Sequence, residues 1–458
     1  MTAYQSAIGE NSTDGASKQA IRARLVLGLA VLDFCAISLG MVVVALVYLG
    51  QFDHKRLVIF LPLLLPVYYL FAARQHAYRL NVVINAGRSM GRSGLSFTFA
   101  IAAVILALFF LKASDELSRG LALAGGAVSV ALLLVGRALF ANYAYRKLDG
   151  QPQSEIVLVD GLAPPPICSA PKIDVAQLGL RPDINEPDML DRLGKIINGV
   201  DRVIISCEPG RRAAWALALK GAGINVEVLA PELDEIGAIT HNRYHGTATA
   251  LIASGPLTPV DRFMKRCLDL AFAVPAAIVL SPFIALVAVA IKLDSRGPVL
   301  FKQKRIGMGN RLFPMYKFRS MYTDRLDHNA SKLTTRNDSR VTRVGKIIRA
   351  TSIDELPQLL NVIRGDMSIV GPRPHATGAL AGDALYWEVA THYWSRHAVK
   401  PGLTGLAQVK GFRGNTETSL DLMNRLQADL DYLEEWSLAR DISLIFKTFG
   451  VLIHKNAF

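Results

Sequence analysis

The chain carries 458 residues, a formal net charge of +13 and 51% hydrophobic residues. Its mean hydropathy of +0.29 is high for a wholly soluble protein of two or three domains, and charge is segregated from apolar runs, which points to a membrane protein with basic faces on one side. Cys35, Cys168, Cys207 and Cys267 lack metal-ligand spacing, which argues against a cysteine-held metal and reads as ordinary thiols in a reducing compartment.

A polar, Ser-rich head precedes the first apolar run and no small-residue cleavage site follows it, so no cleavable signal peptide is expected. Apolar stretches follow near 25–50, 57–73, 95–112 and 120–139, each close to the roughly 20 residues that cross a bilayer as a helix. Lys18, Arg22 and Arg24 precede the first. Arg74, Arg79, Arg88 and Arg92 fill the turn between the second and third, and Arg137, Arg146 and Lys147 follow the fourth. The other two turns carry only Lys55 with Arg56 and Lys112 with Arg119. The positive-inside rule then places the N-terminus and everything after residue 140 in the cytoplasm. Residues 1–150 therefore read as a four-span transmembrane region. Asp33 lies inside the first span with no visible partner, which favours a packing or interfacial role over a functional one.

Residues 151–255 read as a Rossmann-like α/β module. "EIVLVDG", "RVIISC" and "INVEVLA" are strands, and "GRRAAWALALKGAG" is an amphipathic helix ending in Gly. Strand and helix alternate as a parallel sheet requires. Prolines in "VDGLAPPPI" stand where a phosphate loop would be Gly-rich, and no G-x-G-x-x-G is present. A regulatory or assembly role is favoured over nucleotide binding.

The run from Leu270 to Ile291 is long enough to be a fifth crossing, but Pro275 and Ser281-Pro282 interrupt it. Arg262, Lys265 and Arg266 precede it, and Lys292, Arg296, Lys302, Lys304 and Arg305 follow. Basic flanks on both sides favour a re-entrant helix over 266–292 that breaks at Ser281 and Pro282 and returns to the same side. At the break Ser281 is available to bond a freed carbonyl.

Beyond it, "VLFKQKRIGMGNRLFPMYKFRSM" reads as two strands around a Gly-containing turn, with Lys317 and Arg319 on the second. In "ATSIDELPQLL" two adjacent carboxylates, Asp354 and Glu355, open an apolar helical run. Alone, that pattern is a helix start capped by Ser352, with acids at the positive end of the dipole. Arg349 lies five residues earlier and Arg373 sits in a rigid Pro-Arg-Pro at 372–374. Arginine matches phosphate oxygens in pairs, and cations around an acidic pair suggest a site for a polyanion and a divalent ion.

The stretch from Asp261 onward resembles the bacterial sugar transferase family, the monotopic polyprenyl-phosphate phosphoglycosyl transferases. The resemblance rests on Ser281-Pro282, "KFRSM" at 317–321, "TSIDELPQLLNVIRGDMSIVGPRP" at 351–374, "KPGLTGLAQV" at 400–409 and "DLDYLEEWSL" at 429–438. "RGNTET" at 413–418 and the terminal "HKNAF" are similar to the long subgroup of undecaprenyl-phosphate glucose phosphotransferases.

The resemblance implies a catalytic domain of mixed α/β fold over 256–458. It also implies transfer of a sugar 1-phosphate from a UDP-sugar to undecaprenyl phosphate with release of UMP, at the start of exopolysaccharide or other surface glycan assembly. Asp354 is then the nucleophile and Glu355 its acidic companion, the pair holding Mg²⁺. Lys317, Arg319, Arg349, Arg373 and Asp441 are the substrate-binding candidates. The implied partners are the two substrates and the lipid bilayer of the bacterial inner membrane, with the catalytic domain facing the cytoplasm; nucleic acid is not expected, and a homo-oligomer is allowed. Lys410 and Ala350 depart from the family's pattern, where Asn and a second basic residue are common. The alternatives are a lipid-linked sugar transporter, which would need polar groups within the spans, and a non-catalytic assembly scaffold, which the intact acidic pair opposes.

Overall fold

The computed structural model describes residues 2–49, 54–110, 120–148, 150, 153–166, 170–323, 338–382, 384–412 and 418–452. "HKNAF", all but the last residue of "RGNTET", Cys168, Lys112 and Arg119 lie outside them, as do the side chains of Lys18, Lys55 and Arg56. The chain divides into two compact units, Thr13–Ser154 and one made chiefly of Glu155–Phe458.

In the first unit, Ile21–Val47, Ala86–Phe110 and Ala122–Lys147 are helical, long and apolar enough to cross a membrane. The remaining expected span is the helix His54–Arg74, which contains Pro62 and Pro66 and contributes the shorter apolar stretch Phe60–Arg74. Ile37, Met41, Leu64, Tyr68, Phe97 and Leu133 form the shared core. Gly40 permits the closest approach: a Cβ there would lie 2.6 Å from the Ser129 Cα, and Ser129 Oγ donates to the Ile37 carbonyl at 2.9 Å. Small residues suit such crossings because in lipid van der Waals packing must supply the association energy.

Asp33 has a partner after all. Arg137, expected to flank the fourth span, is fully buried and donates to both Asp33 oxygens, from Nε at 3.0 Å and Nη2 at 2.5 Å. Tyr68 and Tyr78 hydroxyls also donate to Asp33, at 2.9 and 2.6 Å. Arg137 Nη1 reaches the Ala77 carbonyl and Ser89 Oγ, both at 3.2 Å. A charge so enclosed is tolerable only when paired and fully hydrogen-bonded.

In the second unit, β1 (Glu155–Asp160), β2 (Lys172–Asp174), β3 (Arg202–Cys207), β4 (Asn225–Leu229), β5 (Asn242–Tyr244) and β6 (Thr247–Ala253) form one sheet in the order β2-β1-β3-β4-β6-β5. Neighbours among the first four run parallel, while β6 runs antiparallel to both β4 and β5. This is a mixed α/β sheet. β1 and β3 are apolar on consecutive residues because both faces are covered: Ile156, Leu158, Val203 and Ile205 enter one core, and Val157 and Ile204 the other.

The larger core does not stop at residue 255. Trp215 and Leu219 share it with Trp387, Tyr393, Trp394 and Leu426. Glu155–Phe458 accordingly fall in one compact unit.

Thr258 caps the helix Pro259–Asp294 through a reciprocal bond pair with Asp261. The chain stays helical through Pro275 and Pro282, so the expected break is not an interruption of the helix. Ser281 Oγ donates at 2.8 Å to the Ile278 carbonyl, the acceptor that Pro282, lacking an N–H, leaves without its helical donor. Both ends of this helix bond to the same body. Near its start Lys265 pairs with Asp441 at 2.6 Å, and Asp269 accepts from Ser368 Oγ and the Ile369 N–H. At its end Arg319 donates to the Ile291, Ser295 and Arg296 carbonyls, and Asp294 accepts from the Val344 N–H at 3.0 Å. Between them Ala273 packs with Phe313 and Met315, and Val287 with Phe318. The far face leaves Ile278, Val279, Leu286, Val289 and Leu293 exposed.

The Asp33–Arg137 pair generates a stability prediction. Arg137→Met strands a buried carboxylate and is expected to cost about 3–5 kcal/mol, read as a lower melting temperature in detergent. Adding Asp33→Leu should recover most of the loss. A neutral Arg137→Met would return Arg137 to the interfacial position first expected.

Candidate active site

Strand β7 (Leu300–Ile306) pairs antiparallel with β8 (Leu312–Phe318), opposing Phe301 to Lys317, Gln303 to Met315 and Arg305 to Phe313. The Met308–Asn310 turn between them is tight, with Gly309 and Asn310 at positive φ. Opposed residues share a face of an antiparallel pair, so this hairpin presents Arg305, Met315 and Lys317 together.

The acidic pair lies on a 3₁₀ turn, Ile353–Glu355, ahead of the helix Gln358–Arg364. It does not occupy the first turn of an α-helix. Ser352 makes no side-chain capping bond to this turn; its backbone is left-handed at φ 57°. That conformation costs a non-glycine residue about 1–2 kcal/mol, and it redirects the chain between helix Arg343–Ala350 and the turn. Strain of this kind tends to be kept where it sets a functional geometry.

Glu355 Oε1 accepts from Lys317 Nζ at 3.0 Å and from Arg373 Nη2 at 2.8 Å. Burial alone would raise the Glu355 pKa, but Arg373 and Lys317 outweigh it and hold the carboxyl well below the usual range. Asp354 goes the other way. Loss of hydration pushes its pKa up and the Glu355 charge adds to this, against the opposing pull of Lys317, Arg349 and Arg373. Arg373 is presented by the strap after strand Ser368–Val370, which pairs parallel with Gly402–Thr404. Gly402 is required by this approach: a Cβ there would lie 2.1 Å from the Gly371 nitrogen.

An open cleft results, lined by Arg305, Lys317, Glu355, Gln358 and Arg373 among others. Of the residues singled out in the sequence, Lys317, Glu355 and Arg373 meet in direct contact, with Asp354 adjoining and Arg349 in electrostatic range. Two lie elsewhere. Arg319 is buried beyond the end of β8, holding the carbonyls that end the long helix. Asp441 is fully enclosed by Lys265, Tyr432 and Trp436. Lys410 forms a surface pair with Asp431 at 3.3 Å. Arg305, Gln358 and Gly402 were not assigned to the site; the alternation of β7 with respect to Lys317 is the signal that could have found Arg305.

Among the described residues no cluster of three or more His, Cys, Asp or Glu has metal-binding geometry. The two adjacent carboxylates still suit Mg²⁺, which usually takes one or two protein carboxylates and completes its shell with water and substrate phosphate.

Residues 260–455 match the family model described as bacterial sugar transferase. An undecaprenyl-phosphate glucose phosphotransferase of Komagataeibacter xylinus is 44% identical over 265 residues, 57% of this chain and 50% of that protein. The chain thus spans half the length of that relative. The exopolysaccharide production protein PSS of Rhizobium leguminosarum is 49% identical over 189 residues, 41% of this chain and 94% of the relative. A UDP-glucose:undecaprenyl-phosphate glucose-1-phosphate transferase of Caulobacter vibrioides is 45% identical over 232 residues, 50% of this chain and 85% of the relative.

Proposed function

Because the chain belongs to the bacterial sugar transferase family, we propose that it moves a hexose 1-phosphate, with glucose favoured, from a UDP-sugar to undecaprenyl phosphate and so begins exopolysaccharide assembly. The observation that carries the reading is Glu355 held by Lys317 and Arg373 in one cleft, with Asp354 beside it in electrostatic range of both cations. The names of the relatives support the substrates and the pathway.

In the mechanism, a carboxylate oxygen of Asp354 attacks the phosphorus that bears the sugar. The bond from that phosphorus to the UMP oxygen breaks, and UMP leaves with the electron pair. An oxygen of the lipid phosphate then attacks the same phosphorus and frees the carboxylate. Splitting the transfer in two lowers each barrier. Lys317 and Arg373 offset the repulsion between carboxylate and phosphate. Glu355, locked as an anion, orients both cations and with Asp354 would hold Mg²⁺, whose chemistry there is neutralisation of phosphate oxygens.

We assign the catalytic part to 256–458, and 151–255 to a Rossmann-like module with a regulatory or assembly role. The catalytic part faces the cytoplasm of the inner membrane, as the basic flanks favour. We read 266–292 as re-entrant; attachment of both its ends to one body supports this.

Three outcomes test the proposal. Purified protein given labelled UDP-glucose and Mg²⁺ without lipid should release UMP and retain sugar phosphate, and Asp354→Asn should abolish both. A folded Asp354→Asn protein that transfers at a normal rate would remove Asp354 from the nucleophile's role. The second concerns pH. Asp354 attacks only when ionised, and Lys317 holds its pKa down against burial. In Lys317→Met that pKa rises, so the acid limb of kcat/KM should move to higher pH; an unmoved limb would mean that the limb reports another group. Third, single cysteines placed before Leu270 and after Ile291 should react from the same, cytoplasmic side. Labelling from opposite sides would establish a crossing.

A further inference from the structure

We propose that Arg305 is a phosphoryl-anion anchor of the cleft, a cationic contact for substrate phosphate beyond those named in the mechanism. The inference rests on the phosphate-transfer reading above.

Arg305 lines the cleft with Lys317, Glu355 and Arg373. Its guanidinium is held from one edge by a single acceptor, Gln303 Oε1, at 3.1 Å from Nε and 2.6 Å from Nη2. Gln303 is neutral, so the fork is aimed without being neutralised. Among the described residues no carboxylate forms an ion pair with Arg305, and Nη1 has no protein acceptor. The nearby acid cannot serve it fully, because Glu355 Oε1 already takes Lys317 and Arg373.

Charge balance points the same way. Arg305, Lys317, Arg349 and Arg373 act on Asp354 and Glu355, which leaves two positive charges uncompensated. Burial and the Arg373 charge together lower the Arg305 pKa to about 10. A half-buried arginine beside a like charge is unfavourable unless an anion arrives to pair with it. The chemistry that suits it is a phosphoryl group, whose oxygens match the planar fork in pairs. Such a group comes either from the diphosphate of the nucleotide donor or from the phosphate of the lipid acceptor.

The test uses the full-length protein in nanodiscs, titrated with pyrophosphate by calorimetry. Arg305→Gln should weaken pyrophosphate binding about tenfold or more, with the melting temperature unchanged or higher because a repelled cation is gone. Arg305→Lys restores the charge without the fork and should recover part of the affinity. Kinetic arms separate the sources. A raised KM for the UDP-sugar in UMP release without acceptor identifies the donor diphosphate. A raised KM for undecaprenyl phosphate alone identifies the acceptor. Unchanged pyrophosphate affinity in folded Arg305→Gln overturns the anchor, as does wild-type protein that binds no pyrophosphate. Binding that depends on Arg305 in protein that releases no UMP would instead keep the anchor and remove the transferase reading.

Discussion

A single carboxylate oxygen, Oε1 of Glu355, ties together three segments distant in sequence: the strained turn at 353–355, the second strand of the hairpin through Lys317, and the Pro-Arg-Pro strap through Arg373. Its electrostatic consequence falls on the neighbouring residue. Two cations are committed to Glu355, which is kept ionised, while Asp354 keeps only longer-range attraction and loses hydration. The two adjacent acids are thereby driven apart in pKa. Environments that split a carboxylate pair in this way are how one site gives its acids different duties. A locked anion is a poor nucleophile but a good organiser; a carboxylate with a raised pKa is the more basic of the two and the better one to attack phosphorus.

The strap that aims Arg373 is held from the interior. Arg396 donates to the Arg373 carbonyl at 2.8 Å and is itself fixed by Asp429, at 2.9 and 2.6 Å, in a pair that is almost wholly buried. A further Arg396 nitrogen lies 2.9 Å from His375 Nδ1. Burial and the Arg396 charge keep that imidazole neutral, its pKa far below the usual value. Arg396 therefore donates to Nδ1, and the histidine proton sits on Nε2. The His375 carbonyl accepts from the Ile306 N–H at 3.0 Å, joining the strap to β7 next to Arg305. Tyr393, stacked on His375, belongs to the core shared with Trp215 of the α/β sheet. Through this shared core the sheet backs the strap, and among the described residues it lends the cleft no side chain.

Much of this was legible in the sequence, for identifiable reasons. β1, β3 and β4 announce themselves as short apolar runs, and the acidic pair stands out because the chain around it is basic. Partnership between distant residues is what local patterning cannot carry. Arg137 looked like a flanking charge because Asp33, its partner, lies 104 positions away. Lys317 and Arg319 share a motif and a strand parity, yet β8 ends at Phe318, and one residue past that end Arg319 turns to helix carbonyls instead of the cleft. Asp441 and Glu355 are both acids that accept from a lysine; only burial separates an internal strut from a cleft wall. Ser352 had the composition of a cap, but capping needs an extended backbone at that residue, and its φ of 57° rules that out.

The long helix shows how packing limits what hydropathy allows. Thirty-six residues make about 54 Å of helix, more than the roughly 30 Å of a hydrocarbon core, so length alone would permit a crossing. A crossing would have to carry along whatever is packed on the helix. Its buried stripe through Ala273, Leu280, Val287 and Ile291 contacts Phe313, Met315, Phe318 and Ile348 over most of its length. Those residues belong to the hairpin and the helix that also expose Lys302, Lys304 and Arg343. Drawing the C-terminal half across would place those cations in hydrocarbon, each costing about 2.5–3.5 kcal/mol at the centre of the bilayer, or would tear the stripe from its core. Sinking only the outward face, with Ile278, Val279, Leu286 and Leu293, buries apolar surface and moves no charge.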